Sequence, residues 1–219
     1  FQLVWNPESF LRLAYWLCAK ASIIHADVNH AQSFSIEQLI ESLEKLWGHK
    51  LGKNESKEGH SARWVYAALC DLRGSFQARD LVRFFKFAAL EQLKTSHIFW
   101  VDRVLSPEAL RRAIPECSRQ KVEEATKEIT PLRAWSARMN EQSILDKPIP
   151  FSAASVALQP YELAVLRELG VIYEDLDPAL GDKRLFLPEI YRAGLGFDLS
   201  GGRPRIQALL KKNLGKMPF

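Results

Sequence analysis

Helix-opening signals recur along this chain, and they constrain its fold more than any other feature. Asn6-Pro7, Ser106-Pro107 and Thr130-Pro131 each place a capping residue before a proline, and Ser35 with Gln38 has capping-box spacing. Apolar residues follow these signals at helical intervals, as in Ile36, Leu39, Ile40, Leu43 and Leu46, with Gly48 as a stop. The spacing predicts helices from Pro7 to about Ala21, over 35–47, over 62–72 and from just after Gly74. Three short helices in a row then follow: "SPEALRRAI", "RQKVEEATKEI" opened by Ser118, and "LRAWSARMNEQ". "WVDRVL" reads as a short strand or a helix start, and "DKPIPFSAAS" as a linker or a long connection.

Strand signals come late. "QPYELAVLREL" is a helix stopped by Gly170; "GVIYED" and "KRLFLP" then read as two strands of a hairpin around the turn-rich "LDPALGD". A helix feeding such a hairpin is the ending of a winged helix. "PEIYRAGLG" is a short helical turn, and the chain closes on a basic helix containing Arg203, Arg205, Lys211 and Lys212. The expected fold is mainly α: a helical bundle over residues 1–104, then a winged-helix-like domain over 105–219 with one small β-hairpin.

The quantities of the chain exclude little. Its 219 residues are 47% hydrophobic, with six tryptophans, which suits a packed core rather than disorder. A net charge of +4 permits an acidic partner without demanding one. No apolar run reaches membrane-spanning length and no signal-peptide pattern opens the sequence, so no membrane partner is expected. Cys18, Cys70 and Cys117 are odd in number and far apart, which reads as buried thiols of a cytoplasmic protein. The first residue is Phe1, which suggests a piece of a longer product.

Catalytic signatures are missing from the pattern. "GHKLGKN" fails as a phosphate loop, because three residues rather than four separate its glycines and Asn54 stands where a hydroxyl is required. It reads as a solvated turn. "GLGFDL" lacks the third glycine of a dinucleotide fingerprint. His25 and His30 are five apart, off the i, i+4 spacing of paired ligands on one helical face, so no metal is expected.

What remains is a row of cations. Arg79, Arg83 and Lys86 lie at i, i+4 and i+7 on an otherwise apolar helix. Three partners suit them: structural carboxylates such as Asp80, Asp71 or Glu91; nucleic-acid phosphate; or the phosphates of a nucleotide on a neighbouring ATPase domain. The winged helix divides likewise between protein and DNA. Its middle helices are mixed in sign, as in Arg119, Lys121 and Lys127 against Glu123, Glu124 and Glu128, which favours a protein partner; the basic C-terminal helix leaves DNA open.

Taken together, "ARWVYAALCDLRGSFQARDLVRFFKFAAL", "LSPEALRRAIPECS", "LRELGVIY" and "RLFLPEIYRAGLGF" resemble the C-terminal part of bacterial P-loop ATPases of the AAA+ and STAND type, some of them ParA-like. The resemblance runs from about Leu46 onward. It implies a helical lid followed by a winged helix, with Gly74 and then Arg79, Arg83 and Lys86 as nucleotide-sensing residues, Arg79 first among them. ATP and an upstream ATPase domain or subunit are implied with it, since this chain has neither Walker motif. The function so implied is a regulatory module without a catalytic centre of its own, coupling nucleotide state to a partner or effector. The other expectation is a free-standing winged-helix regulator that binds DNA through the basic C-terminal residues.

Overall fold

The computed structural model describes residues 6–24, 27–53, 58–95, 100–175 and 184–199. Helix α1 spans Pro7–Lys20, and the Asn6 side chain accepts from the Ser9 amide at 2.8 Å. A single turn, α2 (His30–Ser33), leads to α3 (Ile36–Trp47), which starts in the expected capping box of Ser35 and Gln38. Helices α4 (Ser61–Leu69) and α5 (Ala78–Lys94) complete the first layer. Their apolar faces meet around Phe10, Trp47, Tyr66 and Phe84, all buried. Phe10 stacks nearly parallel to Trp47 and meets Tyr66 and Phe76 edge-on, arrangements that aromatic quadrupoles favour.

The middle of the chain departs from expectation. "SPEALRRAI" and "RQKVEEATKEI" are not two helices but one, α6, over Pro107–Glu128 with Pro115 inside it. Pro115 forfeits one backbone hydrogen bond, yet the helix continues, because it is packed along its length against α5 and against α9 (Glu189–Arg192). Ser118 is therefore not a cap. It lies buried mid-helix, where its hydroxyl accepts from the Gly194 amide at 2.7 Å. α5 and α6 run antiparallel: Asp80 meets Lys121 near one end, and Gln92 accepts from the Ser106 amide near the other.

After α7 (Thr130–Glu141), the proline-rich "DKPIPFSAAS" proves to be structured. It forms strand β1 (Pro148–Ile149), a backbone bridge from Phe151 to Leu185, and a 3-10 turn over Ala154–Val156. Trp135 of α7 fixes that turn by donating from Nε1 to the Val156 carbonyl at 2.9 Å. Helix α8 (Pro160–Glu168) and an antiparallel hairpin of β2 (Tyr173–Asp175) and β3 (Arg184–Phe186) follow. The order of helix, strand, helical turn, helix and hairpin is winged-helix-like, although β1 does not join the hairpin's sheet and is tied to it through the isolated Phe151–Leu185 bridge. The hairpin tip, including Asp177, Asp182 and Lys183, lies outside the described residues. Past α9, the two-residue strand β4 (Asp198–Leu199) pairs in parallel with β1.

One hydrophobic core runs from Phe10 to Phe197 through both parts. The expected boundary at residue 104 falls between α5 and α6, two helices that pack on one another. No described helix is long and apolar enough to cross a membrane.

Candidate functional site

The cation row of α5 is divided among different neighbours. Arg83, only 19% exposed, is clamped between Asp80 of its own helix at 3.2 Å and Glu124 of α6. Arg79, 47% exposed in the first turn, reaches Glu124 at 3.1 Å and Glu128 at 3.6 Å. Lys86 is exposed and stands 5.4 Å from the centroid of the Phe87 ring. Its helix neighbours Val82, Phe85 and Ala89, with Leu17 and Leu46, wall an open apolar groove of about 410 Å³ that Lys86 itself does not line.

Two of the three cations thus have structural carboxylates, but mostly not those nearest in sequence. Asp80 is used; Glu91 pairs instead with Lys94 at 2.6 Å, and Asp71 binds the backbone amides of Arg73 and Ser75. The decisive acids come from α6, where Lys121, Glu124 and Glu128 recur at i, i+3 and i+7 and so share the face turned to α5. Beneath the clamp, Lys121 donates to Asp80 at 2.8 Å and to Gln77 at 2.6 Å, with both charged groups nearly out of reach of water.

The hydrogen bond and charge of Arg83 outweigh partial burial and hold the Glu124 carboxyl below its ordinary value of 4.5. A carboxyl whose pKa is depressed by folding adds stability that is fully present above its unfolded value and is lost as pH falls through the folded one. Glu124→Gln should therefore flatten the acid limb of the stability curve below about pH 4.5 relative to the native chain, as read by urea midpoints.

The winged-helix element presents a different surface. The α8 residues Tyr161, Ala164 and Glu168 are exposed, as is Leu169 at its end. Its basic residue, Arg167, is paired with the buried Glu174 at 2.7 Å. Glu162 is buried, bonded to Arg138 and to the Gln159 amide. In this position a helix that reads the major groove carries donors for base edges and phosphates; α8 exposes Tyr161, Ala164, Glu168 and Leu169, and its one guanidinium, Arg167, is engaged by Glu174. The candidate DNA contacts Arg203, Arg205, Lys211 and Lys212 lie outside the described residues.

The sequence reading missed Arg103. "WVDRVL" is neither strand nor helix start; it is a bend that drives this guanidinium, fully buried, against the end of α3. Arg103 donates to the carbonyls of Trp47 (3.2 Å), Lys50 (2.6 Å) and Gly52 (3.2 Å), pairs with Asp102, and lies over the Trp100 ring. It satisfies carbonyls that a helix C-terminus leaves open and places a cation where the helix dipole favours one. The available signal was an Asp-Arg pair inside an otherwise apolar hexapeptide.

The three cysteines are buried and unbridged, as expected. Burial pushes the Cys18 and Cys117 thiols up to about 12, far from the thiolate form that nucleophilic or metal chemistry needs. Among the described residues, no group of three or more His, Cys, Asp or Glu is placed to hold a metal ion. His30 stacks on Phe34 with ring centroids 4.5 Å apart; His25 lies outside the described residues. Comparison with protein-family models, curated proteins and solved structures gave no match in any of the three.

Proposed function

We propose that the chain is a regulatory, non-catalytic module: the helical lid and winged helix of a larger P-loop ATPase, passing nucleotide state to a protein partner. The observation that carries this reading is the unequal hold on the cation row. Arg83 is locked between two carboxylates and serves the α5–α6 joint. Arg79 follows the Gly74 break with its own side chain half exposed, and its longer ion pairs are of the kind worth only about 0–1 kcal/mol each. A phosphate offered by a neighbouring domain can outbid such pairs, because charge-assisted contacts from Arg to phosphate are stronger and more directional. The outer face of α8, with Glu168 exposed and Arg167 already paired with Glu174, supports a protein rather than duplex DNA as the partner of the winged helix.

The test uses the native full-length gene product. Arg79→Ala should lower ATP turnover about tenfold or more while leaving the melting temperature within about 2 °C of the parent. Unchanged turnover and unchanged nucleotide affinity, or a native product without any P-loop, overturns the reading.

A further inference from the structure

A second gathering of basic side chains lies at the C-terminal end of α3. There the chain leaves Trp47, turns through Gly48, His49 and Lys50, and returns at His60 to begin α4. A backbone bridge between Lys50 and His60 holds the two segments together. The Ser61 amide donates to the His49 carbonyl and the Ser61 hydroxyl to the Trp47 carbonyl, both at 3.0 Å. Between them is a pocket of about 120 Å³, edged by Ile40, Trp47, Gly48, His49, His60 and Arg63. That volume approaches the ~150 Å³ known to admit a benzene ring, so a single small anion fits and a nucleotide does not.

The lining brings two imidazoles and a guanidinium together. The His49 and His60 rings meet edge-on with centroids 4.5 Å apart. His49 Nδ1 lies 2.5 Å from Glu44 Oε1, which assigns the Nδ1 proton to that bond and turns Nε2 elsewhere. Arg63 buries its Nε without any hydrogen-bond partner. A buried guanidinium donor left unpaired is costly and rare, and it asks for an acceptor. Helix α4 adds a further source of positive potential: no side chain caps its first turn, and with the Ser61 amide given to the His49 carbonyl the amides of Ala62 and Arg63 are the donors left to an anion.

We infer that this pocket binds a phosphate-type oxyanion, held by Arg63, by the His49 and His60 rings and by the first-turn amides of α4. The anion supplies the acceptor that Arg63 Nε lacks and accepts from the imidazole N–H groups beside it. The loop "GHKLGKN" is no Walker motif, yet its opening residues form one wall of the site. In the free chain, burial first, then His49, Arg63 and Lys50, hold the His60 pKa below the ordinary 6.5, with only Glu44 opposing. Binding of an anion must raise that pKa, because protonated His60 and the anion favour one another.

The experiment is a titration of the 219-residue chain with inorganic phosphate and, separately, with glycerol 3-phosphate, at ionic strength matched with chloride. It is followed through the imidazole C–H resonances of His49 and His60. Saturable shifts are expected, with a raised His60 pKa in the bound state. Arg63→Met should weaken binding about tenfold or more while circular dichroism stays native. Tighter binding of the ester would place the anion on a larger molecule; equal binding would make it the free ion. Linear, unsaturating drift with either anion, or equal affinity in native and Arg63→Met chains, overturns the inference. The His60 pKa is read on the native chain, so the test stands even if the variant folds poorly.

Discussion

Gly48→Ala destabilises the chain by about 3–5 kcal/mol, the range seen when a buried charged group loses its partners. Gly48 has φ +74°, in the left-handed region where a side chain costs about 1–2 kcal/mol. Space is the larger obstacle. A methyl group there would stand 2.1 Å from the Arg103 Cζ, inside the guanidinium itself. Arg103 cannot step aside cheaply, because the carbonyls of Trp47, Lys50 and Gly52 depend on it and its charge would be left without partners. For a chain of this size the loss corresponds to a fall in melting temperature of about 6–20 °C. A thermal melt checks it, and a fall under about 2 °C would mean that Arg103 is not the plug described.

Lys121→Met costs about 3–5 kcal/mol, since it strands the Asp80 carboxylate in the α5–α6 interface with only Arg83 to answer it. The companion change separates pairing from packing. Asp80→Leu together with Lys121→Met removes both buried charges, and most of the lost stability should return, as apolar replacements of buried pairs commonly show. Urea midpoints of the single and double variants give the coupling directly. A double variant as unstable as the sum of the singles would place the cost in packing instead.

Local chemistry explains what was legible in the sequence. Asn6, the Ser35–Gln38 capping box, the stop at Gly48 and the stop at Gly170 are signals of one or two turns, read from neighbours within four residues. Each marks a real helix boundary to within about two residues. The hairpin strands on either side of 176–183 are equally local in their alternation. The failures all concern distance. Ser118 looks like a cap because hydroxyl residues prefer that role, but burial against α9 gives it the Gly194 amide instead. Two prolines and a run of small residues made 146–155 read as a connection, though Phe151 bridges to Leu185, far along the chain. The cation row was visible at once; its answer on Glu124 and Glu128 was not, because pairing between helices depends on which faces meet. Arg103 was hardest of all, since its acceptors are backbone carbonyls that carry no sequence signature.

α6 has one side against α5 and another against α9, and so belongs to both the bundle and the winged-helix element. A helix shared in this way cannot be cut out, duplicated or traded without opening the core on each side of it. The part ending near residue 104 would keep α5 with Asp80 but lose Glu124 and Glu128, the acids of α6 that answer Arg79 and Arg83; the part beginning there would keep those two acids with nothing to face. In engineering, the two halves must therefore travel together: a graft, a fusion or a truncation respects this chain only when it leaves Pro107–Glu128 joined to both neighbours.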